Sequence, residues 1–346
     1  MKRNKMMPLK IAAAVFAIAA GIVVGMYYMD NRRANFSQEC AIFIYPDTSV
    51  ADVVSLLNEA ALTKNVRSLE RCLVKLDAEG RIKPGRYVIK PTYTSIYVAR
   101  MLVYGWQSPH NLTLSGTIRT KEVLAQKISS QMMVDSASVA EALSSEEFLS
   151  EYGFTPETVF AMILPDTYQM YWTASVKDIF DRFKREYDVF WTKDRLAKAK
   201  KAGLSKLQVS VLASIVSGET LKSDEYPLIA GVYLNRYRKG MRLQADPTVA
   251  FCFNYEPSRI LKKHLNVDSP YNTYKYAGLP PAPINVPPKA CVDAVLNAEK
   301  HNYLYFCASP EFDGSHRFAS SYNEHMKNAR AFQRELTIRR KAQQLL

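Results

Sequence analysis

Ala41–Leu57 reads AIFIYPDTSVADVVSLL, a strand that becomes a helix within a few residues. Apolar Ala41–Tyr45 is strand-like, and Pro46-Asp47-Thr48-Ser49 supplies a turn ending in a good helix N-cap. Val50, Val53, Val54, Leu56 and Leu57 then recur on one helical face. Working outward, Val66–Leu76 is again helical, Gly85–Ile89 returns as a strand, and Thr94–Val103 places Ile96, Ala99 and Leu102 on one side of a helix. Asn111–Leu114 is a short strand. The order β-α-α-β-α-β predicts a compact α+β module with a mixed sheet.

Upstream, Ile11–Met29 (IAAAVFAIAAGIVVGMYYM) carries no charge. At ~1.5 Å per residue it spans about 28 Å, close to the hydrocarbon thickness of a bilayer. Lys2, Arg3, Lys5 and Lys10 precede it, and Asp30, Arg32 and Arg33 follow. The cationic end predicts a cytoplasmic basic tail at 1–10, a transmembrane helix at 11–29 and the remainder on the far, extracytoplasmic side of a membrane. Ala17-Ile18-Ala19 resembles a signal-peptide cleavage site, but the apolar run continues well beyond it, which favours an uncleaved anchor. Residues 30–39 read as a polar stalk.

The chain has 346 residues, 48% of them hydrophobic, enough for about two domains and too apolar for wholesale disorder. Its net charge of +13 favours a polyanionic partner. Placement beyond a membrane demotes nucleic acid and favours an extracytoplasmic polymer. The five cysteines lack C-x-x-C or Cys/His ligand spacing, and His316, Glu324 and His325 lack a metal-ligand pattern, so neither a metal nor a redox site is expected. Past the first module, Lys121–Met132, Ser138–Leu143 and Ser145–Tyr152 are helical. Ile179–Ala202 is a long charged stretch whose charges read as a solvated helix face.

The chemistry concentrates after Lys206. In Val209–Thr220 (VSVLASIVSGET), Leu212, Val216 and Glu219 share one helical face, so the carboxyl ends an apolar stripe. Desolvation there raises a carboxyl pKa, as a general acid at neutral pH requires; an ion pair with Lys222 is the plainer alternative. Asn235 closes the helical Leu228–Arg236. Met241–Asp246 alternates like a strand, and Asp246 before Pro247 has the grammar of an N-cap followed by a proline at the first helical position. Tyr271-Asn272-Thr273-Tyr274 and Gly278–Ile284 are rigid loops suited to sugars or to scaffolding.

LASIVSGET, YLNRYRKGMRLQADPTV, YNTYKYAGLPPAPI, the tail NYLYFCASPEFDGSHRF and Ile163–Tyr168 together resemble the MltG (YceG-like) endolytic murein transglycosylases over nearly the whole chain. The resemblance implies a LysM-like module at 40–115 and a mixed α+β catalytic domain at 116–346. It also implies cleavage of MurNAc–GlcNAc bonds in nascent peptidoglycan strands to leave 1,6-anhydro-MurNAc ends, which would terminate strand elongation. No cofactor or metal is called for, and a peptidoglycan synthase is an expected companion. The family motif S-I-[IV]-E-K-E-T carries its catalytic second Glu onto Glu219, whereas its first Glu falls on Ser217 and the Lys between them on Gly218. Support for Glu219 must then come from elsewhere, with Glu225 and Asp246 as candidates. By family position and polarity, Asn235, Gln244, Asp246, Tyr271, Asn272 and Thr273 are expected to hold the glycan. Two other readings are a hydrolytic muramidase using Glu219 with Asp246, and a catalytically silent glycan-binding scaffold.

Overall fold

The computed structural model describes residues 7–343 and is a mixed α+β structure in two compact units. Lys2, Arg3 and Lys5 of the expected basic tail lie outside the described residues. The first unit runs to Leu112 and takes in Gln131–Met133 and Gln169–Ala174; the second comprises the rest.

The first unit begins with α1 (Met7–Asn31), followed by β1 (Cys40–Ile44), α2 (Val50–Ala61), α3 (Val66–Lys75), β2 (Gly85–Ile89) and α4 (Ser95–Tyr104), and the chain leaves it along β3 (His110–Thr113). From Leu9 onward α1 is long and apolar enough to cross a membrane. It starts earlier and ends later than the charge-free run: Lys10 is exposed at one end, and at the other Asp30 is paired with Arg71. Ser49 caps α2 through Asp52 N–H and Thr94 caps α4 through Tyr97 N–H, as the turn chemistry requires. β1 and β2 pair antiparallel, Cys40 opposite Ile89 and Ile44 opposite Gly85. Beneath them Phe36, Leu57, Leu69, Leu73, Tyr87 and Leu102 form a closed core.

Two expectations are corrected here. The sheet is two-stranded rather than mixed, and β3 pairs instead with β4 (Thr167–Met170). The outer edge of β2 is occupied by Ser108, whose hydroxyl accepts from Val88 N–H and whose N–H donates to Arg86 C=O. Pro109 follows and has no N–H with which to extend a ladder. The stretch read as a stalk is packed. Arg71 and Ser68 both donate to Asp30 Oδ1 at 2.6 Å, Asn35 donates to Ser95 Oγ at 2.8 Å, and Phe36 lies fully inside the core.

The second unit is mostly helical: α5 (Lys121–Ser129), α6 (Ser136–Ala142), α7 (Glu146–Ser150), α8 (Val176–Phe190), α9 (Lys193–Ala202), α10 (Lys206–Glu219), α11 (Tyr226–Arg238), α12 (Asp246–Cys252), α13 (Lys289–Leu296), the antiparallel hairpin of β5 (Tyr305–Ala308) and β6 (His316–Ala319), and α14 (Tyr322–Gln343). The charged stretch 179–202 is not one helix. Thr192 leaves helical geometry and accepts from Arg195 N–H, so it starts α9 as a new N-cap. α10 is the central element, buried continuously from Val209 to Val216 and packed against α9, α11, α12 and α13. A capping box fixes its start: Ser205 Oγ accepts from Gln208 N–H, and Gln208 Oε1 accepts from Ser205 N–H.

Candidate active site

Glu219 is the last helical residue of α10, half-buried at an open groove of about 410 Å³. α11, the residues leading into α12, the β5–β6 hairpin and the start of α14 complete the walls. Burial pushes the Glu219 carboxyl up to about 7 from an ordinary 4.5; the negative charge of Asp246 pushes the same way, and a hydrogen bond from Tyr233 restrains it. That bond runs from Tyr233 Oη to Glu219 Oε1 at 2.5 Å. Burial and Glu219 raise the Tyr233 phenol well above its usual range, so it stays a donor. Oε1 is therefore engaged, and Oε2 is the oxygen left for a ligand.

Gly218 makes this arrangement possible. A Cβ built there would lie 2.7 Å from Pro247 Cβ, so only glycine lets α12 approach α10 this closely. Asp246 then faces the groove, its Oδ1 accepting from Tyr274 Oη at 2.6 Å. It is not an N-cap: Ala245 holds that position without a side-chain bond, and Asp246 is the first residue of the helix. Nor is Met241–Asp246 a strand. Gln244 sits at φ 54°, and this left-handed kink turns its amide towards Arg236, whose Nη2 donates to Gln244 Oε1 at 2.7 Å.

Of the residues expected at the site, Glu219, Gln244 and Asp246 share the groove. The other four are placed elsewhere. Asn235 projects from the opposite face of α11, where its amide donates to the carbonyls of His301 and Tyr303 at 2.8 and 3.1 Å. There it lines a larger cavity of about 750 Å³. The basic side chains Lys201 and Arg238 of that cavity lie in the last turns of α9 and α11, where cations ordinarily offset the helix dipole. Asn272 is fully buried and donates to the Leu265 and Val267 carbonyls. Thr273 is buried as well, its hydroxyl accepting from Ala245 N–H and meeting Thr248 Oγ1. Tyr271 packs tilted against Phe251, with ring centroids 4.5 Å apart, in the lining of a separate pocket. These loop residues hold the backbone that aims Asp246. The Pro-rich loop does the same for α10: Ile284 N–H donates to Ser214 Oγ, and Asn285 donates to Ser214 C=O.

Ser217 lies off the groove, its hydroxyl donating to Ser214 C=O and Asn285 Oδ1 at 3.0 Å each. Glu225, the other candidate for supporting Glu219, is buried and accepts twice from His316, from backbone N–H and from ring Nδ1, both at 2.7 Å. It thereby sets the imidazole in the groove wall. Glu219 pairs with Tyr233 rather than with Lys222, which reaches Asp313 at 3.3 Å.

Sequence reasoning passed over Tyr233, Tyr274, Arg236 and His316. Of these, Tyr233 and Arg236 carried a readable signal, a polar face of α11 spaced three apart. Arg236 lies over the Tyr305 ring, against which His325 stacks at 5.3 Å. Burial, and after it the Arg236 charge, lower the His325 pKa. Arg236 Nε and His325 Nδ1 are buried without a hydrogen-bond partner.

Fold and groove define an α-rich α+β domain with a carboxylic acid held near neutrality at the end of its central helix. Residues 42–331 match the YceG-like family, and the chain belongs to that family. It is 37% identical over 131 residues to a Bacillus subtilis (strain 168) protein named endolytic murein transglycosylase, covering 38% of this chain and 36% of the relative. A Streptococcus pneumoniae (serotype 2, strain D39) protein of the same name is 27% identical over 171 residues, 48% of this chain and 31% of the relative. The matched stretch thus spans about a third of the length of these relatives. The crystal structure of a yceG-like protein, lmo1499, from Listeria monocytogenes superposes with a TM-score of 0.57 at 28% identity, covering 84% of this chain and 98% of that one.

Proposed function

We propose that this chain is a membrane-anchored lytic transglycosylase that cuts MurNAc–GlcNAc bonds within peptidoglycan strands, ending their elongation. The observation that carries the reading is the Glu219 carboxyl, poised at about 7 in an open groove. Such a group is substantially protonated at neutral pH yet a usable base once ionised. The names of the two relatives point to the same substrate class.

In the proposed reaction Glu219 Oε2–H gives its proton to the glycosidic oxygen as the bond to MurNAc C1 breaks, releasing GlcNAc with a free hydroxyl. The MurNAc C6 hydroxyl closes onto C1, and its proton returns to Glu219. A 1,6-anhydro ring forms, no water is consumed, and the acid is regenerated. Tyr233 holds Oε1 so that Oε2 carries the proton, and the Asp246 carboxylate faces the positive charge that develops on the sugar ring. Gln244 and Arg236 offer amide and guanidinium contacts at the groove wall.

In this reading α1 is the single-pass anchor, with the basic end in the cytoplasm, the catalytic domain (116–346) outside, and a peptidoglycan synthase supplying the strands. The antiparallel pair with two intervening helices in the first unit supports a LysM-like module for 40–115.

Asp246 in the same groove favours one second reading, a muramidase in which it activates water. Mass spectrometry of digested, uncrosslinked strands separates them: anhydro ends support the lyase, reducing ends the hydrolase. Glu219→Gln lowers strand cleavage about 10²–10⁴-fold if the acid is correctly assigned. Full turnover by that variant on purified strands would overturn the assignment.

A further inference from the structure

The outward face of α4 bears Tyr97, Arg100 and Tyr104, spaced three and four apart, and Trp106 follows directly. The three aromatic side chains are 41%, 54% and 47% exposed. They form a continuous row: Tyr93 to Tyr97 at 4.5 Å between ring centroids, Tyr97 to Trp106 at 5.8 Å, and Trp106 to Tyr104 at 5.9 Å. None of the four belongs to the closed core of this unit except Tyr93, which packs on its edge. Ring faces joined in a strip beside an exposed arginine on the same helix face are costly to leave in water, and tyrosine and tryptophan are enriched where protein meets the headgroup layer of a bilayer.

The row begins where α1 ends. Four residues past the last residue of α1, Asn35 N–H donates to Tyr93 C=O at 2.9 Å, Ala34 bridges to Thr94, and Asn35 Nδ2 holds Ser95 at the first turn of α4. Arg71 and Ser68 fasten α3 to Asp30 at the same end. The segment between α1 and the folded unit therefore has no slack, and the start of α4 lies within a few residues of the point at which α1 leaves its apolar stretch.

We propose that the Tyr93–Tyr97–Trp106–Tyr104 row is a membrane-interface patch, which seats the first unit in the phospholipid headgroup layer of the bilayer that α1 crosses. It rests on the reading of α1 as a membrane-spanning helix. The occupant is the bilayer surface itself: Arg100 meets lipid phosphate while the rings lie at the headgroup–acyl boundary. The consequence is orientational. The unit is held against the bilayer rather than trailing from a flexible tether.

Trp106 reports on this directly, because Trp172 and Trp191, the other two tryptophans, are buried. The full chain and its Trp106→Phe variant are reconstituted in phosphatidylcholine–phosphatidylglycerol vesicles with and without lipid brominated near the carbonyl end of the acyl chain. The difference between the two proteins isolates Trp106. The proposal expects bromolipid to quench at least half of that difference signal and its emission to shift to the blue relative to the fluorescence in detergent. An unquenched Trp106 in a chain that resists carbonate extraction overturns the patch while leaving the anchor in place. A chain released by carbonate overturns the anchor, and the patch with it. A Trp106 signal that bromolipid leaves unchanged and added soluble glycan strands quench would make the row a sugar platform and also overturns the proposal.

Discussion

Burial raises the Glu219 pKa, and two neighbours then act on it in opposite directions, so its titration can be moved either way. Tyr233 donates to it and holds its pKa down; Asp246 repels its ionised form and pushes it up. Tyr233→Phe keeps the ring against Phe306 and removes the donor, so the alkaline limb of the rate–pH profile moves to higher pH. Asp246→Asn removes the repulsion, and the limb moves to lower pH. Profiles displaced in the same direction by both variants would contradict this electrostatic account. The same carboxyl ties stability to pH. Its folded value of about 7 stands above the ordinary 4.5, so its contribution is complete below 4.5 and is lost as pH rises through 7. Glu219→Gln therefore gains thermal stability over the unsubstituted chain above pH 7 and shows no such gain below 4.5, a comparison made by calorimetry at the two pH values. The position of Glu219 was legible because Leu212 and Val216 place it on a buried face. Tyr233 was legible only as one half of the Tyr233–Arg236 polar spacing on α11, and nothing local marks it as the partner of a carboxyl fourteen residues earlier. Asn272 and Thr273 have side chains that suit a sugar equally well, and the structure turns them onto the protein's own backbone.

At the scale of elements, α11 serves two sites from opposite faces. Tyr233 and Arg236 face the groove, while Gly231 and Asn235 face the segment from Glu299 to Tyr303. Glu299 N–H donates to Pro227 C=O, and His301 Nε2 meets Leu228 C=O at 2.9 Å, so the segment is clamped along the helix. A Cβ at Gly231 would lie 2.5 Å from His301 Nε2 and 2.7 Å from the Glu299 carbonyl oxygen. Gly231→Ala thus sets an overpacking cost of about 1–3 kcal/mol against a helix-propensity gain of about 1 kcal/mol. The expected result is a net loss of stability in urea titration, with the slope of the transition unchanged. An increase in the unfolding midpoint would mean that the segment yields freely. Element types were largely readable from periodicity and caps, as with β2 at Gly85–Ile89 and the Ser49 cap of α2. Two kinds of feature were not. A helix break such as Thr192 is hidden within a long charged stretch that reads as helical on both sides of it, and the pairing of β3 depends on a strand far along the chain.

At the scale of the whole molecule, Lys2, Arg3, Lys5 and Lys10 fall on the cytoplasmic side in the proposed topology, which leaves a surplus of +9 from residue 11 onward; that charge is a long-range field, and its action is separable from the chemistry in the groove. Under the proposed function the partner is a peptidoglycan strand, which carries lactyl carboxylates where it is unsubstituted and stem-peptide carboxylates where it is not, and the excess cations would raise its local concentration and speed the encounter. Salt shortens the reach of that field from about 10 Å at 0.1 M to about 3 Å at 1 M. The Glu219–Tyr233 bond is shielded by protein and spans 2.5 Å, far inside either length. Raising ionic strength over this range should therefore increase KM several-fold with little change in kcat. Strands whose carboxylates have been amidated should show a nearly flat KM, because the charge that the field acts on is gone. Parallel loss of kcat and kcat/KM with salt on the native strands would place the effect in the groove instead. A flat KM on native strands would mean that the surplus charge serves some partner other than the glycan.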